Sequence, residues 1–147
     1  MNILKFFEET VQRFPQKTAI AYKEISYSFS DLAHQAKCLA VRIFQADQTR
    51  KPVAVFVNRG ADTAVLFLAV LYSGNYYIPI DPDMPSAKIA SILSDAEPSV
   101  ILCGEENKAV LDEIHYSGTI YTLDDRSSEE CPACESIDVD SPAYMVY

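Results

Sequence analysis

Apolar residues recur along this chain with two periods, one helical and one strand-like. Leu4, Phe7, Val11 and Phe14 recur at spacings of three and four, which predicts a first helix with one apolar stripe docked on the domain and ended by Pro15. Thr18–Tyr22 and Glu24–Phe29 read as two short strands joined by a tight turn at Lys23, a hairpin. Ser28 or Ser30 can cap the next helix, where Asp31 suits the positive end and Leu32, Ala36, Leu39, Ala40 and Ile43 form the buried face. Val53–Val57 is a continuous apolar strand of the kind buried in parallel sheets. Val65–Leu71 is apolar all round, so a helix there must be covered on several sides. Gly74 follows, where a helix end wants a residue free to take positive φ. Tyr76–Ile80 is a short strand, and Pro82 and Pro85 exclude regular structure between Asp81 and Met84, with Pro85 suited to the first helical position. A helix from Ser86 to Ala96 with Ile89, Ile92, Leu93 and Ala96 on one face is stopped by Glu97-Pro98. A strand at Ser99–Leu102, a helix at Lys108–Ile114, a strand at Thr119–Leu123 and a last strand at Ala143–Tyr147 complete the chain. Strands alternating with helices predict an α/β fold, doubly wound on a mostly parallel sheet, with the N-terminal helix and hairpin added.

Length and charge narrow this picture. The chain has 147 residues, the size of one domain, so residues 1–147 are expected to form a single α/β subdomain. A formal net charge of -9 disfavours nucleic acid, whose phosphates call for clustered Lys and Arg, and the scattered cations leave no footprint for an anionic membrane. The longest apolar run is shorter than the roughly 20 residues that span a bilayer. The N-terminus turns acidic at Glu8-Glu9 without a cleavage site, so it is not read as a signal peptide and a cytoplasmic location is expected. Residues 124–141 are acidic and Ser-rich, the composition of a solvated loop.

Candidate chemistry is sparse. Asn58-Arg59-Gly60-Ala61-Asp62 lies at the C-terminal end of a strand, where open α/β sheets bind ligands, but it has a single glycine. Arg59 is expected to pair locally with an Asp such as Asp62 rather than hold an anion. Cys38 and Cys103 read as reduced, buried residues. Cys131-Pro132-Ala133-Cys134 has C-x-x-C spacing, but a zinc site wants a second closely spaced pair of ligands and the sequence shows none, so the pair reads as incidental. His34 and His115 are isolated, His34 and Lys37 lie off the apolar stripe of their helix, and no Ser/His/Asp set accompanies either histidine. Gly60, Gly74, Gly104 and Gly118 are all isolated, so no phosphate-cradling loop is present. No catalytic, cofactor-binding or metal-binding residue is therefore expected on this chain.

The stretch Leu71-Tyr72-Ser73-Gly74-Asn75-Tyr76-Tyr77-Ile78-Pro79-Ile80-Asp81-Pro82-Asp83-Met84-Pro85-Ser86-Ala87-Lys88-Ile89 resembles the second core motif of amino-acid-adenylating domains in the adenylate-forming superfamily, roughly Leu-Lys-Ala-Gly-x-Ala-Tyr-Val-Pro-Ile-Asp-Pro-x-x-Pro-x-x-Arg-Ile. It departs at Tyr72, Ser73, Tyr76 and Lys88. Tyr27-Ser28-Phe29-Ser30-Asp31-Leu32 is similar to the first core motif, and Ala143–Tyr147 resembles the strand leading into the family's Thr-Ser-Gly-Ser-Thr-Gly phosphate loop. The resemblance implies an N-terminal fragment, of the non-ribosomal peptide synthetase or D-alanine–carrier protein ligase type, ending before that loop. The parent would use ATP and Mg2+ to activate an amino acid as aminoacyl-AMP, then pass it to the phosphopantetheine thiol of a carrier protein. Its partners would be the rest of the adenylation domain, the amino acid and the carrier. The chain alone is expected to be inactive and to bind no cofactor, and its apolar end around Tyr144–Tyr147 to favour a dimer. Tyr77, Asp81 and Lys88 are expected to fix the sheet edge and the following helix, not to touch substrate. Alternatives are an acyl-CoA or aryl-acid ligase of the same superfamily, or a non-enzymatic α/β ligand- or partner-binding module.

Overall fold

Helix α1 (Ile3–Arg13) opens the computed structural model, which describes residues 3–45 and 50–129. The strand expected at Ala143–Tyr147, the apolar end there, and the pair Cys131 and Cys134 lie outside the described residues. Leu4 is buried and Phe7 packs against the core as the spacing predicts, and Val11 is half-buried. Phe14 does not: Pro15 ends the helix, so Phe14 leaves the helical period and stands 46% exposed. Two cations approach its ring, the Arg13 guanidinium at 5.5 Å and the Lys17 ammonium at 5.4 Å from the centroid.

Strands β1 (Thr18–Tyr22) and β2 (Ile25–Ser28) form the antiparallel hairpin, with Lys23 at a φ of 54° in its turn. Helix α2 (Phe29–Gln45) follows, and of the two candidate caps Ser28 is the one used: its Oγ accepts the Asp31 N–H at 3.0 Å. All five residues of the expected face are buried, together with Ala33 and Cys38. Glu8 ties α1 to this bundle, accepting the Tyr72 hydroxyl proton and pairing with Lys37 at 3.1 Å.

The main sheet is parallel throughout, in the order β4 (Tyr76–Ile80), β3 (Pro52–Phe56), β5 (Val100–Leu102), β6 (Thr119–Tyr121). Its side chains alternate between two cores. Val53, Val55, Val100 and Leu102 pack under α1, α2 and α3 (Asp62–Tyr72), while Ala54, Phe56, Ile78, Ile80 and Ile101 pack under α4 (Ser86–Ala96) and α5 (Lys108–Glu113). Helices on both faces of a parallel sheet make the fold doubly wound, as expected. The β6 strand is shorter than the pattern suggested. Leu123 leaves it for a 3-10 turn, Leu123–Asp125, so the acidic segment begins as ordered structure.

The end of α3 shows why a glycine stands at position 74. Gly74 takes a φ of 81°, its N–H donates to the Leu71 carbonyl at 3.0 Å, and the Asn75 N–H reaches back to Val70 at 3.2 Å. This is a Schellman ending, in which the left-handed residue lets two terminal carbonyls find partners. Asn75 then accepts the Lys51 N–H at 3.0 Å, and the Gly74 carbonyl accepts the Arg50 N–H at 2.8 Å, so the helix end holds the entry to β3. Gly74→Ala should destabilise by about 1 kcal/mol, since a Cβ is unfavourable at this φ; chemical denaturation would check this, and an unchanged midpoint would show that the turn relaxes.

Pro85 sits one position earlier than expected. Its φ of -55° and ψ of 142° make it the residue before α4, with its carbonyl accepting the first helical N–H groups of Lys88 and Ile89. The ring still serves the helix start, because a residue at this point is extended and needs no N–H of its own.

Candidate functional site

Strands β3 and β5 are neighbours, yet the chain leaves them in opposite directions. After β3 it turns to α3 on one face, and after β5 to a 3-10 turn (Glu105–Asn107) and α5 on the other. Between such diverging connections an open α/β sheet leaves a crevice at its carboxyl edge. Here that crevice has a volume of about 630 Å³, within the range of small-molecule sites. The hairpin forms its outer wall through Tyr22 and Ile25, and Leu66 and Leu123 give it apolar floor.

The two loops are joined by a pair of amides. Asn58 Nδ2 donates to Asn107 Oδ1 at 2.6 Å, and Asn107 Nδ2 donates back to Asn58 Oδ1 at 3.2 Å. Asn107 Oδ1 also accepts the Gly104 N–H at 2.9 Å. Asn107 is 4% exposed, so these bonds satisfy groups that water does not reach. Sequence reading did not find this pair; its members are 49 residues apart, and the signal available was an Asn close after each of two buried strands.

Asp62 does not pair with Arg59 as the sequence suggested. Its Oδ1 accepts the Tyr27 hydroxyl at 2.5 Å, binding the hairpin to the start of α3. Burial first, and then this bond to a carboxylate, push the Tyr27 hydroxyl up to about 12. Arg59 is exposed at the rim. Cys103 is buried at the end of β5, and burial, opposed by Lys108 but reinforced by Glu105 and Glu106, pushes its thiol up to about 11. It is therefore a poor nucleophile at neutral pH.

The remaining candidates lie elsewhere. Tyr77 stacks on Phe67 with ring centroids 4.3 Å apart, Asp81 Oδ1 accepts the Asp83 N–H at 2.9 Å within the proline turn, and Lys88 is exposed on α4. None of these three is at the crevice. His115 is exposed at the end of α5 with a φ of 58°. His34 is exposed on α2, but the structure brings it against Cys38, with Sγ 3.7 Å from Nε2.

Around the crevice Glu24, Asp62, Glu105, Glu106 and Asp124 outnumber Lys23 and Arg59. A rim with five carboxylates against two cations disfavours phosphate. Among the described residues no group of three or more His, Cys, Asp or Glu side chains could hold a metal ion, and no helix is long and apolar enough to cross a membrane.

A parallel sheet of this order with helices on both faces, preceded by an antiparallel hairpin, defines an open doubly wound α/β fold. The chain belongs to the AMP-binding enzyme family, whose pattern matches residues 7–147. It is 29% identical over 153 aligned positions to tyrocidine synthase 1 of Brevibacillus parabrevis, covering 99% of this chain and 14% of that protein. It is 30% identical over 146 positions to surfactin synthase subunit 3 of Bacillus subtilis (strain 168), covering 97% of this chain and 12% of that one. The nonribosomal peptide synthetase FmoA3, in its alpha-methyl-L-serine-AMP bound form, superposes with a TM-score of 0.87 at 20% identity, covering 100% of this chain and 17% of that chain. The chain thus spans a small part of the proteins it matches, and the expected kinship with the adenylation domains of peptide synthetases is borne out.

Proposed function

We propose that residues 1–147 are the N-terminal part of an ATP-dependent enzyme that activates an amino acid as aminoacyl-AMP and passes it to a carrier-protein thiol. The observation that carries this reading is the family match over residues 7–147 together with peptide-synthetase relatives that align with nearly the whole chain. Activation solves a leaving-group problem: a carboxylate is a poor acyl donor, whereas its mixed anhydride with AMP is a good one. ATP and Mg2+ supply that chemistry in the parent enzyme, which we place in the cytoplasm, with the rest of the adenylation domain and the carrier as partners.

In this reading the chain's own residues build the frame and no catalytic, nucleotide-binding or metal-binding group. The acidic rim of the crevice supports this, because it disfavours a triphosphate. Isothermal titration of the 147-residue chain with Mg-ATP is expected to show no binding at micromolar concentrations. Micromolar affinity would overturn the division of labour. Pyrophosphate exchange by the parent protein tests the substrate class: exchange that depends on an amino acid supports the reading, and exchange with fatty or aryl acids alone would move the chain to the acyl-CoA or aryl-acid branch.

A further inference from the structure

Two of the five carboxylates around the crevice are already engaged. Asp62 holds the Tyr27 hydroxyl, and Glu105 pairs with Lys108 at 3.1 Å. The side chains of Glu24, Glu106 and Asp124 have no hydrogen-bond or ion-pair partner among the described residues. They come from three separate walls: the hairpin turn, the 3-10 turn after β5 and the 3-10 turn after β6. The Glu106 carboxylate folds back over Gly104, where a Cβ would collide with it. Charges of one sign around a concavity reinforce one another, because the low-dielectric walls focus their field.

The hairpin wall adds exposed apolar surface. Tyr22 and Ile25 stand opposite each other across the two strands and are 37% and 51% exposed. Left in water, this pair forfeits the burial that a two-stranded hairpin needs for stability.

Charge decides what covers this surface. From Ser127 to Tyr147 the sequence has no Lys or Arg and adds Glu129, Glu130, Glu135, Asp138 and Asp140, so that stretch supplies no cation. A second copy brings a net charge of -9, and like charge opposes it. The tyrocidine and surfactin synthase relatives extend far beyond the aligned part, since the chain covers only 14% and 12% of them.

We propose that the crevice seats a segment of the parent enzyme beyond residue 147 in which an arginine or lysine has an apolar neighbour. The cation enters among Glu24, Glu106 and Asp124, and the apolar side chain covers Tyr22 and Ile25. The rim that disfavours phosphate favours this occupant. The proposal rests on the reading of the chain as part of a longer enzyme, but not on which acid that enzyme activates.

The test is carbodiimide labelling of carboxylates, read by peptide mass spectrometry, in the 147-residue chain and in the full-length protein. Glu24, Glu106 and Asp124 should all label at least about tenfold more slowly in the full-length protein, as groups shut off from water by an interface do. Glu106→Lys combined with Asp124→Lys should return Glu24 to its rate in the isolated chain. Both residues are exposed, so the variant is expected to fold, and the wild-type comparison needs no variant. Equal rates in the two proteins would overturn the proposal, as would a coding sequence that stops at Tyr147. Protection that survives the charge reversal would show that charge does not select the occupant and would overturn it too. Protection that grows with the concentration of the isolated chain would assign the surface to a second copy, and protection that needs an added protein would assign it to a separate partner; either overturns the proposal. Pyrophosphate exchange is read separately: exchange with an amino acid while all three carboxylates stay open sinks the seat alone, and protected carboxylates with exchange on fatty or aryl acids sinks the substrate class alone.

Discussion

Phe56→Ala should lower the free energy of unfolding by about 3–5 kcal/mol, the usual loss when a wholly buried aromatic side chain is truncated. Phe56 is 0% exposed and closes β3 inside the core that α4 and α5 cover, together with Ile80, Ile89 and Leu111. Removing the ring takes apolar area out of burial and leaves a cavity that the flanking strands, fixed by their ladders, cannot fill. Since domains are stable by only about 5–15 kcal/mol in total, this one change consumes a large share. Urea denaturation followed by circular dichroism reads it directly. Val57, the next residue, is 40% exposed, and Val57→Ala should change stability by no more than about 0.5 kcal/mol. A loss below about 1 kcal/mol for Phe56→Ala would mean that the second core is not packed as described.

Asn107→Leu should lower stability by about 2–3 kcal/mol while keeping the number and branching of the side-chain heavy atoms. The substitution strands the Gly104 N–H and both polar atoms of the Asn58 amide, all of which now rely on Asn107. A buried polar group left without its partner loses about 1–3 kcal/mol, and Asn58, being half-buried, recovers part of this from water. The double variant Asn58→Leu with Asn107→Leu should be less destabilised than the sum of the singles, because it removes both members of the pair at once. Simple additivity in that cycle would show that the amides act independently and that the two loops are not latched.

How much of this was visible in the residues divides along physical lines. Wherever a local pattern settles the outcome, it was legible. The α2 stripe from Leu32 to Ile43 is buried at every expected position, Gly74 takes positive φ, and the apolar runs of β3 and β5 lie in the middle of a parallel sheet. Where the outcome depends on what a residue meets across the fold, it was not. Phe14 fits the helical spacing on paper, but Pro15 ends the helix before that spacing can act. Asp62 was matched to the nearest cation in sequence, while the hairpin brings Tyr27 to it from 35 residues away. The Asn58–Asn107 latch follows from the order of the strands, which no single stretch encodes. The His34–Cys38 contact was legible in principle, since one helical turn separates them, but two residues each read as solitary were not weighed as a pair.

The ending of α3 has a kinetic consequence. The bond from the Lys51 N–H to the Asn75 side chain closes a loop of 24 residues, and the β3–α3–β4 unit around it is held by its own backbone ladder. The Asn58–Asn107 bond closes one of 49, which on loop entropy alone raises the barrier to meeting by about 0.6 kcal/mol. The β3–α3–β4 unit can therefore assemble as a local piece, while the partner loop waits for β5 to cross the sheet and dock. The crevice is thus expected to assemble after the β3–α3–β4 unit, although the strands that flank it are among the most deeply buried.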